Sequence, residues 1–211
     1  MTPPVLVAEA IVRRFGAMAA VDVDRLEIPA GRVTALIGPN GAGKTTLFNV
    51  LSGFDQPQSG RWSLAGRPLA GRGGAAVARA GMVRTFQHSR ALARMSVVEN
   101  VMIAAPAQPG ERFWSAFLPA LWRGRERAVE ARARLLVARF GLAHAAELKA
   151  GALSGGQRKL LDLARAVMAE PALLALDEPL AGVNPVLREE IQEHVAALRA
   201  EGTTVLLIEH D

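Results

Sequence analysis

The feature that most constrains the chain is an apolar run, Val33 to Ile37, that passes directly into Gly38-Pro39-Asn40-Gly41-Ala42-Gly43-Lys44-Thr45 and then into a helical pattern. A continuous apolar run of this kind is what a central strand covered on both faces needs. A glycine-rich loop between such a strand and a helix satisfies the phosphate-loop pattern in the context that confirms it. Glycines let successive backbone amides turn inward around an anion, and the start of the next helix adds its positive end. Lys44 supplies a point charge for β and γ phosphates, and Thr45 offers a hydroxyl to Mg²⁺. The opposite reading, a glycine-rich turn that binds nothing, leaves the strand–loop–helix order unexplained.

Composition narrows the class. The chain has 211 residues, 50% hydrophobic and 21% charged, which fits one α/β domain or one domain with an inserted lobe. A disordered tail or a collagen-like fibre is excluded. Lys and Arg number 25 against 20 for Asp and Glu, a net +5, and the lysines are Lys44, Lys149 and Lys159, so the excess is arginine. Such a charge favours phosphates or an anionic surface but does not argue for nucleic acid, and no nucleic-acid partner is expected. Cysteine is absent, which removes disulfides, thiolate metal sites and cysteine nucleophiles. Met1 to Ala10 lacks a basic segment before an apolar run, and no stretch approaches the roughly 18 uncharged apolar residues of a membrane helix. A soluble, cytosolic chain is expected.

Strands are predicted at Val5–Val12, Leu26–Ile28 and Val33–Ile37, a helix from Thr45 to about Ser52-Gly53, and a short strand around Trp62–Leu64. From Ser89 to Ala152 the composition shifts toward helix, with Val129, Leu135 or Leu136, and Phe140 on one side of a segment from Arg125 to Phe140. This reads as an inserted helical lobe. The last third returns to alternation: helix Gly156–Ala169, strand Ala172–Leu176, helix Val186–Ala200, strand Thr203–Ile208.

Two further motifs carry chemistry. Leu173-Leu174-Ala175-Leu176-Asp177-Glu178 is an apolar strand ending in adjacent carboxylates, which point to opposite sides of the sheet and can take different jobs. Asp177 is placed to hold Mg²⁺ through its water shell, and Glu178 to polarise the water that attacks a γ-phosphate. Leu153-Ser154-Gly155-Gly156-Gln157 opens a helix, and a serine cap with two glycines at a helix start makes a second anion site. A chain already owning one phosphate site gains most from a second if one subunit completes the nucleotide site of another.

Taken together these residues resemble the nucleotide-binding subunit of an ATP-binding cassette (ABC) transporter, over essentially the whole chain. In that family Gly38 to Thr46 is the Walker A loop, Leu153 to Gln157 the signature, and Leu173 to Glu178 the Walker B strand with its catalytic acid. The resemblance implies a P-loop NTPase core with a mostly parallel sheet, an N-terminal antiparallel β part, and an inserted α-helical subdomain. The core would take residues 1–88 and 153–211, and the insertion 89–152. The nucleotide would be ATP with Mg²⁺, held by Gly38, Asn40, Gly41, Ala42, Gly43, Lys44, Thr45 and Thr46 on one chain and by Ser154, Gly155, Gly156 and Gln157 on the other.

The resemblance also implies roles that spacing alone does not nominate. Gln87, in Arg84-Thr85-Phe86-Gln87, resembles the Q-loop glutamine that reaches Mg²⁺ and the attacking water. Phe15 looks like the aromatic that stacks on adenine, a place often held by Tyr, which this chain lacks entirely. His210 resembles the switch histidine at the γ-phosphate, so that Glu178, His210, Lys44 and Gln87 form the expected catalytic set and Thr45, Gln87 and Asp177 the metal set. Ala181-Gly182-Val183-Asn184 occupies the D-loop, with Asn184 where many members have Asp. The chain ends at Asp211, one residue past His210, whereas relatives usually continue, so a truncation is expected.

Arg84-Thr85-Phe86-Gln87, Gly155 to Leu161 and Asp177 to Pro185 are similar to the ATPase subunits of branched-chain amino acid importers and their amide or urea relatives. That implies ATP-driven uptake through an integral membrane permease, a second ATPase subunit (the same chain or a paralogue), an indirect solute-binding partner, and a peripheral place on the cytoplasmic face of the inner membrane. The alternatives are a soluble cassette ATPase of repair or translation, or a different ABC transport system. The stretch Phe113 to Arg125, with Phe113, Trp114, Phe117, Leu118, Leu121 and Trp122, fits a lipid or permease contact and equally a helix buried in its own lobe.

Overall fold

A computed structural model describes residues 3–85, 89–106 and 119–209. Along the chain run β1 (Pro4–Phe15), β2 (Met18–Pro29), β3 (Val33–Ile37), α1 (Lys44–Leu51), β4 (Ser59–Leu64), β5 (Arg67–Pro68), α2 (Gly74–Arg79), β6 (Met82–Arg84), α3 (Val97–Met102), α4 (Pro119–Arg139), α5 (Gly155–Met168), β7 (Leu173–Asp177), α6 (Pro185–Ala200) and β8 (Thr204–Glu209). Two compact units result: Met1–Gln87 with Pro171–Asp211, and His88–Glu170.

The first unit holds two sheets. One is antiparallel, in the order β2-β1-β4-β5; the other has the order β3-β8-β7-β6 and is parallel throughout. In β1 the buried residues step by two from Leu6 to Ala8 and then by three to Ile11. The phase change falls at Ala10, whose φ is 51°, where the register against β4 shifts. A bulge of this kind keeps both halves of one long strand facing the core. α1 buries Leu47, Phe48, Val50 and Leu51 in a core that also takes Leu6, Ile11, Ile28 and Trp62 from the antiparallel sheet and Leu173, Ala175, Leu206 and Ile208 from the parallel one. Each such aliphatic or aromatic side chain contributes about 1.5–3 kcal/mol on burial, so the helix that follows the glycine loop is anchored on both sides.

The expectation that Val33–Ile37 is a central strand covered on both faces does not hold. Among the described residues β3 pairs with β8 alone, and Val33 and Ile37 are 37% and 64% exposed. The covered strand is β7, all five of whose residues are buried. An apolar run states what a strand tolerates; which neighbours lie over it is decided by other segments.

In the second unit α3, α4 and α5 pack on one another in all three pairs. Val129, Leu136 and Phe140 are buried while Leu135 is 72% exposed, which settles the inward face of α4 on Leu136. The boundary of this unit falls at 170/171, where the sequence reading placed it at 152/153; the difference is α5, whose contacts run to α3 and α4. Residues 107–118, most of the aromatic stretch, lie outside the described residues. Among those described, no helix is long and apolar enough to cross a membrane.

Asn100 organises the entry to this unit. Fully buried, it accepts the Leu92 amide through Oδ1 at 2.7 Å and donates to the carbonyls of Leu92 at 3.1 Å and Ser96 at 2.9 Å. Its side chain thus stands in for backbone partners that a loop lacks. Asn100→Ala is expected to lower the unfolding free energy by about 2 kcal/mol by orphaning buried backbone groups, read as a lower urea midpoint.

Candidate functional site

The parallel register brings the chemistry to one edge. Ile37 pairs with Glu209, Asp177 with Ile208, and Arg84 with Ala175, so the glycine loop, the two acids and the strand leading toward Gln87 all leave from the carboxyl ends of one sheet. This is where open α/β sheets bind ligands.

α1 begins in an unusual way for a soluble helix. Its N-cap is Gly43, at φ 84°, and no side chain caps it, so the first-turn amides are left to an outside acceptor. Gly41 has φ 82°. At Gly43 a β-carbon would overlap the carbonyl oxygen of Ala20, so this glycine is required both by its backbone angle and by the close approach of β2. Lys44 is buried, its ammonium donating to the carbonyls of Gly38 and, at 2.8 Å, Pro39. Two of three donors are engaged on the loop itself, leaving one for a ligand.

Around this loop lies a cavity of about 560 Å³, lined by Asn40 to Thr46, by Phe15, Met18, Ala19 and Ala20 of the β1–β2 hairpin, and by Glu178. Phe15 is 48% exposed, and the Arg13 guanidinium lies 4.6 Å from its ring centroid. Arg13 is in turn held by Asp55 at 2.9 Å. One face of the ring is thus backed by a fixed cation.

The two acids part company because Asp177 ends β7 while Glu178 lies beyond it, where the backbone turns left-handed. Glu178 reaches the cavity, is buried, and has φ 49°. A non-glycine residue in that region costs about 1–2 kcal/mol and persists where the surroundings over-determine it; here its amide donates to the Ile208 carbonyl at 3.1 Å. Asp177 goes the other way. Its Oδ2 accepts from Arg84 at 2.6 Å, while Oδ1 is buried without a hydrogen-bond partner. Asp177 thus keeps one buried carboxylate oxygen without a partner, and Thr45 carries a hydroxyl in the first turn of α1; both are the hard oxygen donors that Mg²⁺ takes, so the residue types fit the ion.

Ser154 to Gln157 belong to the second unit. Ser154 caps α5: its Oγ accepts the Gln157 amide at 3.2 Å and the Gln157 side chain accepts the Ser154 amide at 2.9 Å. This reciprocal cap uses the oxygen's lone pair and leaves the hydroxyl hydrogen to donate. Ser154 and Gly155 are exposed and Gly156 and Gln157 half-buried. Asn184 caps α6 by accepting the Leu187 amide at 2.8 Å, a task Asn and Asp perform equally well, which accounts for Asn at that place. Gln87 and His210 lie outside the described residues.

Sequence reasoning missed Arg84 as a partner of Asp177, along with Arg13 behind Phe15. The available signal was a lone arginine ending a short apolar strand, too weak to assign without knowing the sheet order. Phe15→Ala is expected to weaken ATP binding by about 1–3 kcal/mol through lost base stacking, with inorganic triphosphate binding unchanged by calorimetry. Gly43→Ala is expected to abolish binding of both, since neither the loop angle nor the contact with Ala20 survives a side chain.

Comparison with known proteins shows the family of the chain. Residues 21–181 match the family model described as ABC transporter. The high-affinity branched-chain amino acid transport ATP-binding protein LivG of Salmonella typhimurium is 42% identical, covering 100% of this chain and 84% of that protein. The corresponding BraF of Pseudomonas aeruginosa is 41% identical with the same coverage. A crystal structure of the ADP conformation of an ATP-binding cassette of an ABC transporter superposes with a TM-score of 0.80 at 36% identity, covering 99% of this chain and 82% of that one. With an uncapped phosphate-loop helix, a strand-end acid pair and these relatives along its whole length, the chain belongs to the ATP-binding cassette family of transporter ATPases.

Proposed function

We propose that the chain binds and hydrolyses ATP to drive uptake of branched-chain amino acids through a membrane permease. The observation that carries this is the cavity that the phosphate loop, Lys44 and Glu178 line together, in a chain 42% identical throughout to a branched-chain amino acid transport ATP-binding protein. The relatives support transport and not the repair or translation alternative.

In this reading the loop amides and Lys44 hold the β and γ phosphates, Phe15 stacks on adenine, and Glu178 takes the proton of the attacking water. Thr45 and Asp177, with Gln87, would hold Mg²⁺, which when bound neutralises charge on the phosphate oxygens. Ser154, Gly155, Gly156 and Gln157 of a second subunit complete the site, and His210 contacts the γ-phosphate. Closure of two cassettes on two nucleotides, and reopening after hydrolysis, moves a permease docked at the cytoplasmic face of the membrane. A solute-binding protein delivers the amino acid from the other side. The substrate is chosen by permease and binding protein, so this chain supplies force and not selectivity.

Glu178→Gln is expected to lower ATP hydrolysis about 10²- to 10⁴-fold, the usual worth of a general base, while leaving ATP affinity intact by calorimetry. Hydrolysis at the wild-type rate would remove Glu178 from this role. Deletion of the chain from its own cell should abolish uptake of labelled leucine, isoleucine and valine; undiminished uptake would overturn the substrate class.

A further inference from the structure

We propose that Arg84 is a positioning residue for the metal site, fixing the distance between the two elements that carry its ligands and reserving one oxygen of Asp177 for the ion. The proposal rests on the assignment of Asp177 and Thr45 to Mg²⁺.

Arg84 ends β6, the strand that leads toward Gln87. Its guanidinium is used as a three-way strut. Nη2 donates to Asp177 Oδ2 at 2.6 Å, and Nη1 donates to Asn49 Oδ1 at 2.7 Å and Ser52 Oγ at 3.0 Å. The plane also lies over Phe48, 4.7 Å from its ring centroid. Arg84 and Asp177 side chains are 7% and 6% exposed. Asn49 and Phe48 are on α1 and Ser52 is its C-cap; the same short helix carries Thr45 in its first turn. One planar cation therefore ties the far end of the phosphate-loop helix to the acid at the end of β7.

A buried ion pair kept only for stability is often replaceable by apolar residues of similar volume, and needs no orphaned acceptor. Here the pairing is lopsided: Oδ2 accepts from Arg84, and Oδ1 is buried with no partner. The rigid guanidinium fork sets the carboxylate plane, which a flexible ammonium does not do. Partners that orient a metal-binding carboxylate in this way tune the metal without touching it.

The test uses the full chain with Mn²⁺ as probe and a non-hydrolysable ATP analogue. Analogue affinity is measured by calorimetry in EDTA, and half-saturating Mn²⁺ by electron paramagnetic resonance at saturating analogue. Arg84→Lys keeps the charge but loses the fork; it is expected to leave the EDTA affinity within about twofold and to raise half-saturating Mn²⁺ about tenfold, as loss of a ligand-orienting partner does. Asn49→Ala removes one anchor of the guanidinium without disturbing the ion pair, and is expected to shift Mn²⁺ in the same direction by about threefold, which carries the test if Arg84→Lys does not fold. Unchanged Mn²⁺ half-saturation in the folded variants, or a parallel loss of analogue binding in EDTA, would overturn the proposal. Failure of the wild-type chain to bind the analogue with or without metal would overturn the nucleotide site itself.

Discussion

The structure depends on a helix end with nothing to cap it. α1 starts at Lys44 behind a left-handed Gly43, and no side chain caps its first-turn amides, so the start of this helix favours negative charge. That open start is tolerable because the rest of α1 is overdetermined: four apolar residues are buried between two sheets, and β2 presses so close that only glycine fits at the turn. The uncapped helix terminus is thus held in place by core packing.

Strand parallelism does the next part of the work. Because β3, β8, β7 and β6 run the same way in register, their carboxyl ends collect at one edge without any further contact having to be invented. One step past the end of β7 separates a carboxylate joined to Arg84 from one that lines the cavity. The strained backbone at Glu178 belongs to this division: the chain leaves the sheet abruptly so that the second acid can reach the nucleotide side.

The signature lies on a helix whose packing partners are α3 and α4, so the residues expected to meet a nucleotide are distributed over two compact units. The helix starts at Ser96, Ser154 and Asn184 are closed by their own side chains, in contrast to α1 and α2, whose N-caps are Gly43 and Gly73.

Much of the site was legible from local sequence, because its parts are local. The phosphate loop, the strand-end acids and the Ser154 helix start are each defined by a few consecutive residues whose backbone preferences and charges act within one turn. The same holds for much of the strand and helix pattern, apart from the bulge at Ala10, the part of β2 before Leu26, and short elements such as β6. What the sequence could not state were relations set by packing: that β3 is exposed while β7 is enclosed, that α5 joins α3 and α4, and that Leu136 and not Leu135 faces inward. Arg84, Asn49, Ser52 and Asp177 meet only after α1 has packed between the sheets and β6 has paired beside β7; residues this far apart in the chain carry no mutual periodicity, so their partnership was decided by tertiary structure alone.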